Sequence, residues 1–251
     1  MKRPRISQRV SWARKQDEIA RLIVAGLLRL RRNADLIKDE NDLNRKLFNH
    51  LEDLNYEMGG GCLAHYEARN QPHADDAERA AREDKTPDIQ WSWEDHAADN
   101  RQSYRRSFIL ECKRLGTPTS ASWILNHNYV LNGILRFIVD THGYAKGESV
   151  AAMVGYIESM DLATILDEVN TVAKSKALTE MTATATEWEA GLLRLLDQEL
   201  DRSFPGTPLR LRHYWLDLRD TIKNPPPRCT NTSDRKGRTR KKSSGMAVPT
   251  P

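Results

Sequence analysis

Three acid-x-lysine triplets occur in the 251-residue chain: Glu83-Asp84-Lys85, Glu111-Cys112-Lys113 and Asp234-Arg235-Lys236. A carboxylate beside an ammonium can hold a divalent cation, orient water and steady the charge on a phosphate, but a triplet alone is a weak signal. Context separates the three. The first and last stand in polar, loop-like sequence, whereas the middle one ends Ser107-Phe108-Ile109-Leu110, which reads as a buried strand. Alternation along that strand puts Glu111 and Lys113 on one face. Burying both charges costs desolvation unless they are paired or bind something. Asp88 follows Pro87 at the start of the neighbouring strand candidate, and a hairpin would lay it beside Glu111. Two carboxylates held so close repel, and a divalent cation is the usual relief. The plainer alternative is a structural ion pair at a sheet edge.

The elements that must position these groups are read from periodicity. Apolar residues from Trp12 to Leu30 recur at helical spacing and predict a helix over 8–32, with Arg14, Arg21 and Arg32 on another face. A second helix is expected to start at Asp39 or Glu40 and to stop at Gly59-Gly60-Gly61. Cys62 to Ala68, Asp88 to Trp93 and Ser107 to Lys113 are strand candidates, separated by polar segments expected as loops. An amphipathic helix is predicted from Trp123 to Ile138 and a central strand from Val150 to Ile157. Helices are expected near 160–175 and 187–202, the latter opened by a capping box of Thr186 and Glu189, followed by a strand from Leu209 to Leu218.

Charge is unevenly spread. The chain carries +4 overall, but residues 1–32 carry +8 and 223–251 carry +7, which leaves −11 on the middle. An acidic body between basic ends fits a protein that handles polyanions, and fits equally a solvated surface with a sticky tail. The Pro225-Pro226-Pro227 run and the Lys, Arg and Ser mixture after it predict a disordered basic tail over 223–251. The apolar run Leu22–Leu28 falls far short of the ~20 residues that cross a membrane. Three cysteines without metal-ligand spacing suggest a reduced, cytoplasmic protein.

The order from residue 40 to 157 is helix, three strands, helix, strand, which points to an α/β fold with a mixed sheet. Pro87-Asp88, then Glu111-Cys112-Lys113 twenty-three residues later, preceded by a helix bearing Glu40, resembles the PD-(D/E)xK nuclease superfamily. The resemblance covers about residues 36–160. It implies a restriction-endonuclease-like core flanked by extra helices, within a single domain over 1–222. It implies that Asp88 and Glu111 ligate Mg2+, for which Mn2+ can substitute, with the Cys112 carbonyl and Glu40 completing the shell. Lys113 would orient the attacking water and help to deprotonate it, and would stabilise charge on the phosphate. Asp39 and Asp42 compete with Glu40 for its role.

A second stretch, with Tyr129, Gly133, Arg136, Phe137, Tyr144, Met153, Gly155 and Tyr156, resembles a pattern in bacterial nucleases of this superfamily, some from phage defence. The expected activity is endonucleolytic cleavage of DNA. Arg14, Arg21 and Arg136 are the candidate nucleic-acid contacts. Assembly as a homodimer or within a larger defence complex stays open. The rival reading is a catalytically inactive nuclease-fold module that binds nucleic acid or a protein partner. Glu67 is expected to be an exposed strand residue, His127 and His213 to be core histidines, and Trp91 and Trp93 to pack the sheet.

Overall fold

Alternation dominates the middle of the chain and produces a sheet. In the computed structural model, which describes residues 11–70, 76–96, 98, 104–188 and 191–225, seven strands form one mixed sheet in the order β1-β2-β3-β4-β7-β6-β5. The elements run α1 (Trp12–Arg31), α2 (Glu40–Glu57), β1 (Ala64–Tyr66), α3 (Arg79–Glu83), β2 (Ile89–Glu94), β3 (Arg105–Leu115) and α4 (Leu125–Leu131). They continue through β4 (Val150–Ile157), α5 (Leu162–Ser175), β5 (Thr182–Trp188), β6 (Leu193–Leu200) and β7 (Leu209–Asp217). β1, β2 and β3 are joined antiparallel, β3, β4 and β7 run parallel, and β7, β6 and β5 are again antiparallel.

The sheet is covered on both sides. Leu110, Cys112, Ala152, Val154, Tyr156 and Leu216 pack against α1 and α2. Their sequence neighbours Ile109, Met153 and Trp215 pack against α4 and α5. This is the period of two expected of strands buried on both faces. Asp39 caps α2, its Oδ1 accepting the Asp42 N–H at 3.0 Å. Buried Glu148 ties α1 to β3, accepting from Trp12 Nε1 at 2.9 Å and the Ser107 N–H at 3.0 Å. No helix among the described residues is long and apolar enough to cross a membrane.

Several expectations need correcting. The helix expected over 187–202 is replaced by the antiparallel pair β5 and β6. The leucines imitate helical spacing because β6 is buried on both faces: Leu193 and Leu195 pack with one layer, Leu196 and Leu200 with the other. Thr186 therefore lies within β5, and Glu189 falls outside the described residues. The helix expected over 123–138 is the short α4 followed by a 3-10 turn, Ile134–Phe137. Gly133 makes that break: a Cβ there would lie 2.4 Å from both the Tyr129 carbonyl oxygen and Met153 Cε. Trp123 precedes α4 and is exposed. α3 occupies sequence expected as loop. The first strand is limited to Ala64–Tyr66. The first helix starts at Trp12 behind the cap Ser11, so the proposed residues 8–10 lie outside the description. Lys223, expected in the tail, forms a parallel bridge with Ile37, while residues 226–251 lie outside the described residues.

Candidate active site

The site arises where β2 stops following β3. Their ladder ends at Ile89 opposite Leu110, so Asp88 falls one step further on, opposite Glu111. Pro87 has no N–H with which to extend the ladder. The main-chain groups of Cys112 are therefore taken by side chains. Its N–H donates to Asp88 Oδ2 at 2.7 Å and its carbonyl accepts from Lys113 Nζ at 2.7 Å.

Around Lys113 Nζ the acids converge. Glu40 Oε1 lies at 2.8 Å, Glu111 Oε1 at 2.9 Å and Asp88 Oδ2 at 3.7 Å. Glu40 reaches the site from the first turn of α2, and its Oε2 accepts the Arg114 N–H at 3.3 Å. Asp39 is spent as the cap and Asp42 pairs with Lys46 at 3.0 Å, so neither takes Glu40's place. One turn further along α2, buried Asn44 accepts from Tyr156 Oη at 3.0 Å, which pins the helix to β4. The next residue of β3, Arg114, is drawn away to Glu158, with Nη2 to Oε2 at 2.7 Å.

Glu111 has no exposed side-chain surface, and its Oε1 also receives Arg136 Nη1 from the 3-10 turn. Its Oε2 has no hydrogen-bond partner. An uncompensated oxygen in a buried carboxylate is costly. Burial first, and then the neighbouring Asp88 charge, push the Glu111 carboxyl up to about 8 against the pull of Lys113 and Arg136. Burial also raises Asp88, opposed by Lys113 and the Cys112 N–H. For Lys113, burial acts to lower the value, but Glu111, Asp88 and Glu40 outweigh it and hold the ammonium charged.

A wall of ordered loop flanks the cluster. Buried Arg82 of α3 donates through Nε to the Asp140 carbonyl at 2.7 Å and through Nη2 to Asp140 Oδ1 at 2.6 Å. Asn70 Nδ2 reaches the His142 carbonyl at 3.2 Å. The segment that follows the Arg136 turn is thus tied down at two points.

The structure brings together Asp88, Glu111, Lys113, Glu40 and Arg136. It does not bring Arg14 or Arg21 into the cluster: Arg14 pairs with Glu18 at 3.9 Å, and Arg21 lines a separate cavity of about 280 Å³ with Arg210 and Arg212. Arg32 is the C-cap residue of α1. Glu67 stands in the left-handed region at φ 43°, just beyond β1, and donates its N–H to the Asp88 carbonyl without joining the carboxylates. His213 is fully buried and bonded to Tyr129, and Trp91 is buried with its Nε1 on the Cys62 carbonyl. Cys62 and Cys112 are free thiols, while Cys229 lies outside the described residues.

Among the described residues no three His, Cys, Asp or Glu side chains form a ready cation cage. The oxygens that would make one instead surround the Lys113 ammonium. The donor set nevertheless suits a hard divalent cation: three carboxylates and a main-chain carbonyl, all oxygen, with Glu111 Oε2 unspent. Sequence reasoning offered Arg136 as a nucleic-acid contact and missed its pairing with Glu111. Its one signal was the Gly133 break three residues before. Comparison with known proteins adds nothing to the geometry, since no family model, curated protein or solved structure matches this chain.

Proposed function

We propose that this chain is a metal-dependent nuclease with a restriction-endonuclease-like core, hydrolysing phosphodiester bonds in DNA. The observation that carries the reading is the convergence of Glu40, Asp88, Glu111 and the Cys112 carbonyl on one point, occupied by Lys113 Nζ. What favours a ligand site over a plain ion pair is that Glu111 is wholly buried with its Oε2 unpaired, a desolvation cost that Lys113 and Arg136 meet only in part. The element order from α2 to β4, with β3 and β4 parallel, agrees with the fold that the sequence resembles.

Asp88, Glu111 and the Cys112 carbonyl would hold Mg2+ or Mn2+, with Glu40 at the edge of the shell. Such an ion supplies Lewis-acid stabilisation of the phosphate oxygens and makes water a better nucleophile. The protein's own contributions follow from the geometry. Asp88 is fixed by the Cys112 N–H, so its carboxylate is oriented before anything binds. Glu111 is walled off from solvent, which strengthens its attraction for a cation. Lys113, held charged by its neighbours, is suited to stabilising negative charge on the phosphate and orienting water rather than to removing a proton. The basic ends of the chain suit a polyanionic substrate.

The test is incubation of the full chain with supercoiled plasmid and Mg2+ or Mn2+, beside Asp88→Asn, Glu111→Gln and Lys113→Met. Nicking or linearisation by the wild type alone supports the reading. Cleavage that persists in all three variants overturns it. One observation favours a second reading, in which the same fold binds nucleic acid without cutting it. Lys113 already satisfies the carboxylates as a closed ion cluster. Salt-sensitive DNA binding with no cleavage under any divalent cation would select that reading.

A further inference from the structure

Two cations share one carboxylate oxygen. Glu111 Oε1 meets both Lys113 Nζ, at 2.9 Å, and Arg136 Nη1. They are held very differently. Lys113 belongs to the same strand as Glu111, is 9% exposed, and is further bonded by Glu40 and the Cys112 carbonyl. Arg136 comes from outside the sheet, on the 3-10 turn after Gly133, and its side chain is 29% exposed. Releasing Arg136 from Glu111 would move no strand.

Charge counting makes such a release useful. Three carboxylates against Lys113 and Arg136 leave the cluster at −1 when all are ionised. Adding a divalent cation would turn this to +1, with Arg136 and the ion pressed against the same oxygen. A phosphodiester brings −1. The planar guanidinium can engage two phosphate oxygens at once, which a carboxylate-bound ammonium cannot do as well.

We propose that Arg136 is the gate residue of this site: it occupies Glu111 in the cation-free protein, competes with the incoming divalent ion, and on release binds the non-bridging oxygens of the substrate phosphodiester. This rests on the nuclease reading above, and goes beyond it by giving one residue opposite effects on two ligands.

Calorimetric titration with Ca2+ reads the cation arm, and fluorescence anisotropy of a labelled DNA duplex in Ca2+ reads the phosphate arm. Wild type, Arg136→Gln, Arg136→Lys and Glu111→Gln are compared, with thermal melts as a check of folding. Arg136→Gln is expected to bind Ca2+ about tenfold more tightly and the duplex about tenfold more weakly, each step equivalent to about 1.4 kcal/mol. Arg136→Lys, which keeps the charge but loses the fork, should shift both affinities in the same directions by less, and it carries the test if the glutamine variant does not fold. Ca2+ affinity in the Arg136 variants that is unchanged or weaker overturns the gate and makes Arg136 a structural partner of Glu111. Tighter Ca2+ binding with unchanged duplex affinity overturns the phosphate role. Failure of the nuclease reading itself shows separately, as Ca2+ binding that is absent in the wild type or unaffected by Glu111→Gln, and it would take this proposal with it.

Discussion

Two of the polar side-chain groups buried among the described residues are built on opposite principles. Beneath α4, Trp215 Nε1 donates to Tyr129 Oη at 3.0 Å, and Tyr129 is bonded to His213 Nδ1 at 2.8 Å. Burial pushes the His213 imidazole down to about 3 and the Tyr129 phenol up, so at neutral pH no member of this trio is charged. At the open end of β2 and β3, by contrast, three acids and two bases crowd together, and Glu111 and Asp88 are both disfavoured as anions. Each group leaves one polar atom unpaired, His213 Nε2 and Glu111 Oε2. The neutral trio is explained by packing and hydrogen bonding alone. In the charged cluster Lys113, Arg136 and the Cys112 N–H offset the burial of Glu111 and Asp88 only in part, for both acids stay disfavoured as anions, and that remainder of unfavourable electrostatics is the physical reason to look there for a function.

The largest way to sharpen this contrast is to remove one member from each group. Lys113→Met or Glu111→Gln should lower plasmid cleavage by at least about 10²–10³-fold, the scale of losing one preorganised electrostatic contact. Tyr129→Phe should cost about 1–3 kcal/mol in thermal or urea unfolding, because it leaves buried donors and acceptors unpaired. Its kcat should stay within a few-fold of wild type. Comparable activity losses from both groups would erase the distinction.

Stability should move the other way at the charged cluster. Asp88→Asn can keep accepting the Cys112 N–H while removing a disfavoured negative charge. In the absence of divalent cations it should raise the melting temperature at pH 8 by a few degrees, about 1 kcal/mol in a chain of this size, while abolishing cleavage. A lower melting temperature would mean that the carboxylate is a structural partner of Lys113.

The two groups should also bend the pH dependence of stability in opposite senses. Glu111 ordinarily titrates near 4.5 and is raised to about 8 here, so the folded chain holds a proton that the unfolded chain has released. Its contribution is full below pH 4.5 and fades as pH rises through 8. For His213, with an ordinary value of 6.5 lowered to about 3, the contribution is full above pH 6.5 and is lost as pH falls toward 3. Denaturant titrations between pH 4 and 9 without divalent cations should therefore show Glu111→Gln flattening the alkaline side and His213→Gln the acidic side.

Much of the charged cluster was legible in the sequence, because strand alternation is a short-range rule. Once Phe108 to Leu110 reads as buried, Glu111 and Lys113 must share a face, and Pro87 marks where Asp88 leaves the ladder. The second helix was expected to start at Asp39 or Glu40, and it starts at Glu40 behind Asp39, which acts as the cap rather than as Glu40's competitor. Arg136 was not placed, because its position depends on a break at Gly133 where, besides the local Tyr129 carbonyl, Met153 of β4 leaves no room for a Cβ, and only the fold brings Met153 close. β5 and β6 were misread for a related reason. A strand covered on both faces places leucines at positions that also satisfy a helical period, and only partners distant in the sequence distinguish the two.

The most direct test of the central claim is a crystal structure of the full chain soaked in Mn2+, with anomalous scattering to locate the metal. The account predicts one peak bonded to Asp88, Glu111 and the Cys112 carbonyl, with the Lys113 ammonium displaced from its position between them. A map with no peak there, and with Lys113 Nζ still bonded to Glu40 and Glu111, would contradict it.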